Sequence, residues 1–420
     1  MTLGAMGPDV AATDPVEETP ARASNAAIFA RFLRFGLLAW GGPVAQIAML
    51  RRDLVRDEHW ISSSRFNRLL AVYQVLPGPE AHELCVHLGM LRGGRLGALL
   101  AGLGFMLPGF VLMLGLSWLY FQVDLKQAAI GSVLLGVQIA VLALIVRAVE
   151  QIGRHIVVDV PLFTIGAATA IASLAGASFW LTLPLAGALY LVALRVRQRW
   201  LVPAVAAALA ALAVAASGPV FGPIFPTEAA PSSTAGSAAT HPPLPSLFAS
   251  GLKAGLLTFG GAYTVIPFLR GDAVGNGWMS DSTFLDGLAL SSILPAPLII
   301  FSTFVGYVAG GVAGAVAMTV AIFLPAFGFT LLFGDQLAAI VDNRELRTLL
   351  KGVAAGVVGL IVATTVELTT ALVGRLPSVA PAALIFTGAL VVLSLWKSKA
   401  NVVLVIFGAG LAGWIAFGAG

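Results

Sequence analysis

Charge is scarce in this chain of 420 residues. Only 10% of the residues are charged, whereas a soluble globular domain carries roughly 25%. Hydrophobic residues make up 58% of the chain, and the mean hydropathy is +0.94. This balance excludes an ordinary soluble domain and predicts an all-α polytopic membrane protein that lies in the lipid bilayer.

Cysteine is almost absent, since Cys85 is the only one in the sequence. A single thiol excludes a disulfide within the chain and a cluster of thiolate metal ligands. The five histidines show no ligand spacing, so no metal site and no cofactor are predicted. No block of Lys and Arg is long enough to bind nucleic acid, and the net charge of +4 is typical of basic cytoplasmic loops.

In place of charge, the chain has long apolar segments. They span residues 27–50, 69–90, 96–121, 128–149, 161–177 and 179–194, then 247–269, 284–309, 312–333, 346–373, 380–396 and 402–417. Between these two sets lie an unpaired apolar stretch and a stretch rich in Pro, Ser and Ala that cannot build a core. The sequence predicts five parts: a disordered, acidic tail that is not a signal peptide (1–26), a first repeat (27–200), an unpaired helix (201–217), a linker (218–246) and a second repeat (247–420).

The two halves are copies of one another. Gly260 lies 219 positions after Gly41, and Lys253 lies 219 positions after Arg34. Pro295-Ala296-Pro297 follows Pro77-Gly78-Pro79 by 218 positions. This constant spacing indicates an internal duplication. Because one unpaired helix separates six segments from six, the second copy is turned over in the membrane, which predicts inverted-topology repeats.

Four of the apolar segments carry Gly and Pro where a membrane helix would be interrupted. Trp40-Gly41-Gly42-Pro43 is predicted to end one helix at the glycines and to begin another at Pro43, because proline suits the first helical position. Pro77-Gly78-Pro79, Gly260-Gly261 and Pro295-Ala296-Pro297 repeat the pattern. Interrupted segments at matching positions of two halves indicate a transporter's binding site.

The positions of Lys and Arg favour broken segments that re-enter. If every segment spans, the five arginines of 51–68 and the pair Arg92 and Arg95 fall on opposite sides of the membrane. If the broken segments are re-entrant hairpins, both groups lie in the cytoplasm and the positive-inside rule holds. Such backbone is stable only where protein or a wet cavity covers it. This hypothesis predicts that cysteines placed at positions 57 and 93 are labelled from the same face.

The restarted helices are candidates for an anion site. Each presents unpaired N–H groups and about half a positive charge at its N-terminus, so four that converge would supply roughly two charges to a small dianion. Ordinary kinking by Gly and Pro is the alternative interpretation. The two seats are unequal, because Ala262 replaces Pro43 and Ala296 replaces Gly78 in the second half.

Side chains near the breaks are further candidates. Arg34 and Lys253 lie seven residues before their glycine pairs, and a cation in a membrane segment is usually functional, although long cations near helix ends also snorkel to the interface. Gln74 and Ser292 either donate to an oxyanion or bond helix to helix. The predicted substrate-binding residues are Arg34, Gly41, Gly42, Pro43, Gln74, Pro77, Gly78, Pro79, Lys253, Gly260, Gly261, Ser292, Pro295 and Pro297.

Three titratable residues, Glu80, His82 and Glu83, directly follow Pro79. One interpretation is a relay that carries a coupling proton or cation beside the anion seat. The other is that acidic residues in the first turn simply favour the helix dipole. The second half has Leu298, Ile300 and Phe301 at these positions, so a relay would be one-sided.

These motifs together resemble the chromate ion transporter family in its long, two-domain form. The residues that carry the resemblance, which covers about residues 28–417, are Phe35-Gly36-Leu37-Leu38-Ala39-Trp40-Gly41-Gly42-Pro43, Gln74-Val75-Leu76-Pro77-Gly78-Pro79-Glu80-Ala81, Leu107-Pro108-Gly109 and Phe259-Gly260-Gly261. The resemblance implies export of chromate from the bacterial cytoplasm, chromate resistance and a multi-pass location in the inner membrane. His87, Met90 and Ala296 depart from the family pattern, which bears on fine specificity.

Three other functions stay open beside chromate export. The first is a carrier of sulfate or another oxyanion, for which chromate is incidental. The second is a membrane-embedded enzyme, which would need a nucleophile or metal constellation that the sequence does not show. The third is a membrane partner protein that carries no flux. No enzymatic activity is predicted, and a homodimer is an option for the assembly.

Overall fold

The structure is a computed structural model that describes residues 23–40, 42–74, 76–122, 128–195, 207, 242–259, 261–334, 343–396 and 401–418. Within these ranges the chain is helical and has no β-strand, which confirms the all-α prediction. The helices of the first half are α1 (Asn25–Leu37), α2 (Gly42–Leu50), α3 (Ser63–Tyr73), α4 (Glu80–Gln122), α5 (Ala128–Ile156), α6 (Val160–Leu174) and α7 (Phe179–Arg195). Those of the second half are α8 (Leu244–Leu256), α9 (Val265–Ala273), α10 (Asp281–Ile293), α11 (Phe301–Gly328), α12 (Arg344–Val373), α13 (Val379–Leu395) and α14 (Asn401–Phe417).

Two boundaries differ from the sequence prediction. Residues 51–68, which lie between the first two apolar segments, are mostly helical, because a π-helix (Arg51–Asp57) continues α2 and α3 begins soon after it. Charged side chains of the π-helix form hydrogen bonds; for example, Arg51 donates to Asn67 Oδ1 at 2.8 Å. α8 begins inside the predicted linker, since Pro245 fits a first helical turn. The tail up to residue 22, the unpaired helix apart from residue 207, and the linker up to residue 241 lie outside the described residues.

All four predicted interruptions are present. A helix ends before each of them and another begins after it, so the Gly and Pro signals predict the breaks correctly. Gly42 begins α2 with φ 76° and Gly261 has φ 128°, values that favour glycine. We name the connecting segments break 1 (38–41), break 2 (74–79), break 3 (257–261) and break 4 (294–297).

Helices α4 and α11 each double back on themselves. A turn at Gly94, with φ 63°, divides α4 into α4a (80–93) and α4b (95–122). Gly311, 217 positions later and with φ 61°, divides α11 into α11a (301–309) and α11b (312–328). A methyl group on Gly89 would lie 2.5 Å from the Gly97 carbonyl oxygen, so the two arms of α4 touch along their backbones. The duplication therefore extends to these hairpins.

In the first half, α1 and α2 form a hairpin that opens toward the Gly94 turn. α1 begins beside this turn, where a methyl group on Gly93 would lie 2.6 Å from Ile28 Cδ1. The π-helix that continues α2 returns to the same end, because its Asp53 forms an ion pair of 3.6 Å with Arg31 of α1. The first broken segment therefore folds back on itself, with both of its ends on the same side of the bundle.

The second broken segment of this half, α3 with α4a, has the same course. Between the two hairpins, Trp60 lies under the guanidinium of Arg92, whose carbon is 4.6 Å from the ring centroid. α3 leaves from this end and α4a leads back to the Gly94 turn. The positions adjoining 57 and 93 thus lie on one side, as the re-entrant hypothesis requires.

The second half forms its hairpins at the Gly311 turn. α8 begins there, because a methyl group on Gly310 would lie 2.9 Å from Leu247 Cδ1. An ion pair between Lys253 of α8 and Asp272 of α9 holds these two helices together. This ion pair corresponds to the one between Arg31 and Asp53 in the first half. Asp272 is the counterpart of Asp53, whereas Lys253 is the counterpart of Arg34, one helical turn after Arg31.

Contacts between α4a and α11b place the two hairpin turns at opposite ends of the bundle. The His82 and Phe323 rings lie 4.7 Å apart near the start of α4a. Near its end, a methyl group on Gly334 would lie 3.3 Å from the Met90 methyl carbon. α4a and α11b thus run in the same direction. Because the Gly94 turn follows α4a and the Gly311 turn precedes α11b, the two turns lie at opposite ends of the bundle.

The remaining helices form a scaffold in which the halves exchange partners. α5 packs against α14, where a methyl group on Gly136 would lie 2.9 Å from Gly413 Cα. α12 packs against α6 and α7, and a methyl group on Gly166 would lie 3.1 Å from the Ala355 carbonyl oxygen. Small residues allow such close approach of helices in lipid. Each half is therefore completed by helices of the other.

Four helical stretches of the described chain are long and apolar enough to cross a membrane. They are Glu80–Gln122, Ile130–Ile156, Leu298–Phe333 and Arg344–Val373. Shorter apolar helices accompany them, including α6, α7, α13 and α14. The protein is therefore a multi-pass membrane protein.

Candidate functional site

Breaks 2, 3 and 4 meet inside the bundle. The Gly78 amide of break 2 donates a hydrogen bond of 2.7 Å to the Thr258 carbonyl of break 3. The 3₁₀ turns that follow breaks 3 and 4, Ala262–Thr264 and Leu298–Ile300, are neighbours. The structure thus brings three of the four interruptions together.

Breaks 1 and 4 both lie against the middle of α4b. A methyl group on Gly36, just before break 1, would lie 3.0 Å from Pro108 Cγ. A methyl group on Gly109 would lie 2.7 Å from Ala296 Cβ in break 4. Pro108 lies 14 positions after Gly94, or about 21 Å along a helix, which places these contacts well inside a bilayer core of about 30 Å.

The helices that begin at the breaks supply backbone donors. The first N–H groups of a helix have no partner within it and carry its positive dipole end. At break 2, the amides of His82 and Glu83 already bond to the Pro79 carbonyl, at 2.8 and 3.0 Å. Pro43, Pro79 and Pro297 have no N–H, so these prolines shape the breaks and donate nothing. The donors left at break 2 are therefore the amides of Glu80 and Ala81, the first two residues of α4a.

The predicted side chains occupy different surroundings. Arg34 is exposed in the last turn of α1, and Gln74 is exposed at the end of α3. Lys253 pairs with Asp272 and lies 5.1 Å from the Phe179 ring centroid. The Ser292 hydroxyl donates 2.8 Å to the Leu288 carbonyl of its own helix. Pro77 and Pro295 lie half-buried within their breaks, whereas Gly41 and Gly260 lie outside the described residues.

The three titratable residues after Pro79 are buried between the two halves. His82 Nε2 donates a hydrogen bond of 3.2 Å to the Gly102 carbonyl, and the His82 ring lies among Phe105, Phe323 and Phe327. Glu80 is buried in the first turn of α4. Glu83 is fully buried, and both of its carboxylate oxygens lack a hydrogen-bond partner among the described residues.

Two polar clusters escape the sequence analysis. Asp286 of α10 accepts hydrogen bonds from Tyr120 of α4b, at 2.8 Å, and from Gln138 of α5. The Tyr73 hydroxyl lies 2.9 Å from His87 Nδ1 and 3.0 Å from Thr330 Oγ1. The members of each cluster are far apart in the chain, so spacing gives no signal of them. In the part of the chain that the structure describes, no three His, Cys, Asp or Glu side chains are grouped to hold a metal ion.

Comparison with known protein families decides the identity of this architecture. The model of the family described as "Chromate transporter" matches residues 26–211 and 245–414. The chain belongs to the chromate transporter family. The residues between the two matches, 212–244, comprise the end of the predicted unpaired helix and most of the predicted linker, and each half of the duplication is covered by the chromate transporter match.

Relatives in the chromate transporter family are similar over nearly their whole length. A "Chromate transport protein" of Pseudomonas aeruginosa is 58% identical over 98% of this chain and 97% of its own. A "Chromate transport protein" of Cupriavidus metallidurans is 30% identical over the same shares. A "Probable chromate transport protein" of Synechococcus elongatus is 30% identical over 91% of this chain and 93% of its own. No solved structure matches the chain.

Proposed function

We propose that this protein is a secondary transporter that exports chromate from the cytoplasm across the bacterial inner membrane and so confers chromate resistance. The observation that carries the proposal is the meeting of interrupted helices from both halves inside a membrane bundle. Membership of the chromate transporter family and relatives named chromate transport proteins support chromate as the cargo. The protein acts as a transporter and not as an enzyme.

The proposed binding site consists of the helix N-termini at the four breaks. Backbone donors suit a tetrahedral dianion because they supply positive charge without a titratable group. Arg34 adds net charge from the end of α1, and the remaining predicted residues line the breaks. Lys253 contributes more weakly than Arg34, because Asp272 neutralises it.

We further propose that the halves are inverted-topology repeats that give alternating access to this site. The opposite placement of the Gly94 and Gly311 turns supports this relation. The Gly94 end faces the cytoplasm, because it collects arginines as the positive-inside rule demands. Those arginines include Arg51, Arg52, Arg56, Arg65, Arg68, Arg92 and Arg95.

Flux measurements test the proposal. Purified protein in liposomes is expected to move chromate, with the pH gradient and the membrane voltage set separately. Sulfate in the same vesicles separates a chromate exporter from a general oxyanion carrier, which is the second candidate because sulfate is a similar dianion. Absence of flux for both anions refutes transport, and reduction of chromate by the purified protein would establish an enzyme instead.

Topology is tested by single cysteines at positions 57 and 93. Both are expected to react with an impermeant thiol reagent from the cytoplasmic face, because their neighbours Trp60 and Arg92 are in contact. A cysteine at position 311 is expected to react from the other face. Labelling of 57 and 93 from opposite faces would overturn the re-entrant arrangement.

A further inference from the structure

The carboxyl group of Glu83 lies at break 2, inside the proposed anion site. Glu83 is in the first turn of α4a, is fully buried, and both of its oxygens lack a hydrogen-bond partner among the described residues. A methyl group on Gly78 would lie 2.8 Å from the Glu83 carboxyl carbon. The side chain is therefore folded back against the backbone of break 2 at Gly78.

The second half shows what this position looks like without the acid. Phe301 lies 218 positions after Glu83, and Ala296 lies 218 positions after Gly78. Phe301 is fully buried among aromatic rings such as Phe284, 4.8 Å away. The two residues thus differ together between the halves: glycine accompanies the carboxyl group, and alanine accompanies the ring. Gly78 leaves the room that Glu83 occupies.

The groups around Glu83 leave its negative charge uncompensated. Its own helix contributes Glu80, His82, Cys85 and His87, and α3 contributes Tyr73. Glu80 and Tyr73 interact with Glu83 electrostatically, and neither brings positive charge. His82 and His87 are engaged with the Gly102 carbonyl and the Tyr73 hydroxyl.

The other elements packed here bring no compensating charge either. The neighbouring elements contribute the Thr258 carbonyl from break 3 and the rings of Phe323 and Phe327 from α11b. His155 of α5 interacts with Glu80. Among the described residues no Lys or Arg forms an ion pair with Glu83.

Two negative groups cannot share this small buried space. When no substrate is present, the Glu83 carboxyl group lies near the positive end of the α4a dipole but accepts no hydrogen bond from the described residues. A dianion that arrives there meets like charge in a low-dielectric interior, where repulsion is strong. A protonated carboxyl group removes the repulsion and can donate a hydrogen bond to the anion.

We propose that Glu83 and the transported dianion occupy break 2 alternately, and that each dianion binds together with one proton on Glu83. The proton comes from water at the open face, joins one carboxylate oxygen as the anion enters, and returns to water when the anion leaves. No other bond forms or breaks. This inference rests on the proposed function and names a proton as the ion that is linked to it.

Equilibrium binding of radiolabelled sulfate to the purified full-length protein tests this linkage. Sulfate is the probe because it remains a dianion across the pH range, whereas chromate itself takes up a proton. For the wild type, the affinity is expected to fall on the order of tenfold per pH unit on the alkaline side, as uptake of one proton requires. Glu83→Gln is expected to bind sulfate with an affinity that does not vary with pH.

Two controls isolate Glu83. Glu80→Gln, on the same helical turn, is expected to keep the pH dependence, and so is Glu345→Gln, an exposed acid on α12. In weakly buffered wild-type protein, a pH-indicator dye is expected to report about one proton taken up per sulfate bound. This second measurement needs no variant and therefore stands even if Glu83→Gln does not fold.

The outcomes separate this inference from the proposed function. Wild-type binding that is independent of pH, or no proton uptake, overturns the linkage alone. If Glu80→Gln loses the pH dependence and Glu83→Gln keeps it, the proton binds Glu80 and not Glu83, which also overturns the inference. Failure to bind sulfate or chromate at any pH overturns the anion carrier itself.

Discussion

The two halves differ most in how their first hairpins are attached to the scaffold. In the second half, Arg270 of α9 donates 2.8 Å to Asp281 of α10 and also pairs with Glu367 of α12. Arg51 and Glu150 lie 219 and 217 positions before Arg270 and Glu367. In the structure these two counterparts bond elsewhere. The duplicated cation and acid are thus joined in one half and separate in the other.

Their alternative partners are local. Arg51 donates to Asn67 of α3, and Glu150 pairs with Arg147 and Arg154 of its own helix. Burial follows the same division at matched positions: Val44 in α2 is 77% exposed whereas its counterpart Tyr263 is half-buried, and Ala48 is exposed whereas its counterpart Pro267 is buried. The ion pair with Glu367 joins the hairpin at the Gly311 end to the scaffold, and the described residues show no equivalent ion pair at the Gly94 end. The duplicated sequence thus supports two packings, and the proposed exchange between inverted repeats would require both of them.

The largest expected effect is at the breaks themselves. Gly42→Leu and Gly78→Leu are expected to abolish chromate tolerance, because Gly42 has φ 76° and any side chain on Gly78 meets Glu83. Ala296→Gly, the matched change in the second half, is expected to keep tolerance within about threefold, since it removes one methyl group. Growth on chromate, with membrane abundance measured by immunoblot, checks the series. Intact tolerance in both leucine variants would refute the site.

The next effect concerns the exchange of ion pairs between the halves. Two double-cysteine variants are made in a Cys85→Ala background. In the first, Arg270 and Glu367 are both changed to cysteine, and in the second, Arg51 and Glu150 are. A short bifunctional thiol reagent then tests whether each pair can be joined. The first pair is expected to cross-link at once, as the contact exists. The second is expected to cross-link at least fivefold faster when chromate drives the exchange.

A matched pair at positions 195 and 345 controls for reactivity, because Arg195 and Glu345 are joined at the periphery. Its cross-linking rate is expected to be indifferent to chromate. If the 51–150 pair is equally indifferent, or never cross-links, then the asymmetry is permanent and the halves do not exchange roles.

A smaller effect shows whether Lys253 stabilises the fold through its ion pair with Asp272 or binds the anion directly. Lys253→Met leaves the half-buried Asp272 carboxylate without its cation, although the Ser250 hydroxyl still donates to it, and this loss is expected to cost roughly 1–3 kcal/mol of stability. Adding Asp272→Asn is expected to restore most of the thermal stability in detergent and also the chromate tolerance, because Asp272 then needs no cation. If the double variant regains stability and stays intolerant to chromate, Lys253 acts on the anion itself.

The smallest effect is one that both halves are expected to share. Gly94→Ala and Gly311→Ala each place a side chain at φ near 60° with no atom within 4 Å of the new methyl group. Backbone strain alone then applies, at about 1 kcal/mol in each case. Melting temperatures in detergent measure it. Unequal changes in melting temperature would show that one turn contributes more to stability than its counterpart.

The sequence predicts the breaks and the duplication because Gly and Pro act locally and leave a fixed spacing. The hairpin turns are less evident, since Gly93-Gly94 and Gly310-Gly311 look like ordinary helix ends until their 217-residue spacing is noticed. The partners of Lys253 and Asp286 are beyond prediction, because they depend on which helix faces which. The carboxyl group over Gly78 is hidden for the same reason: spacing places Glu83 near the break but does not show that it folds back.

The exchange of scaffold partners has a consequence for how such a gene can arise. A polypeptide with only one of the two copies would leave Gly136 of α5, which Gly413 of α14 now covers, facing acyl chains. In the proposed inverted arrangement, such a polypeptide would need a second molecule of opposite orientation in the membrane to cover that face. Fusion of the two copies removes that need, and it then frees each copy to lose or keep residues, such as the single acid at position 83, that its twin does not share.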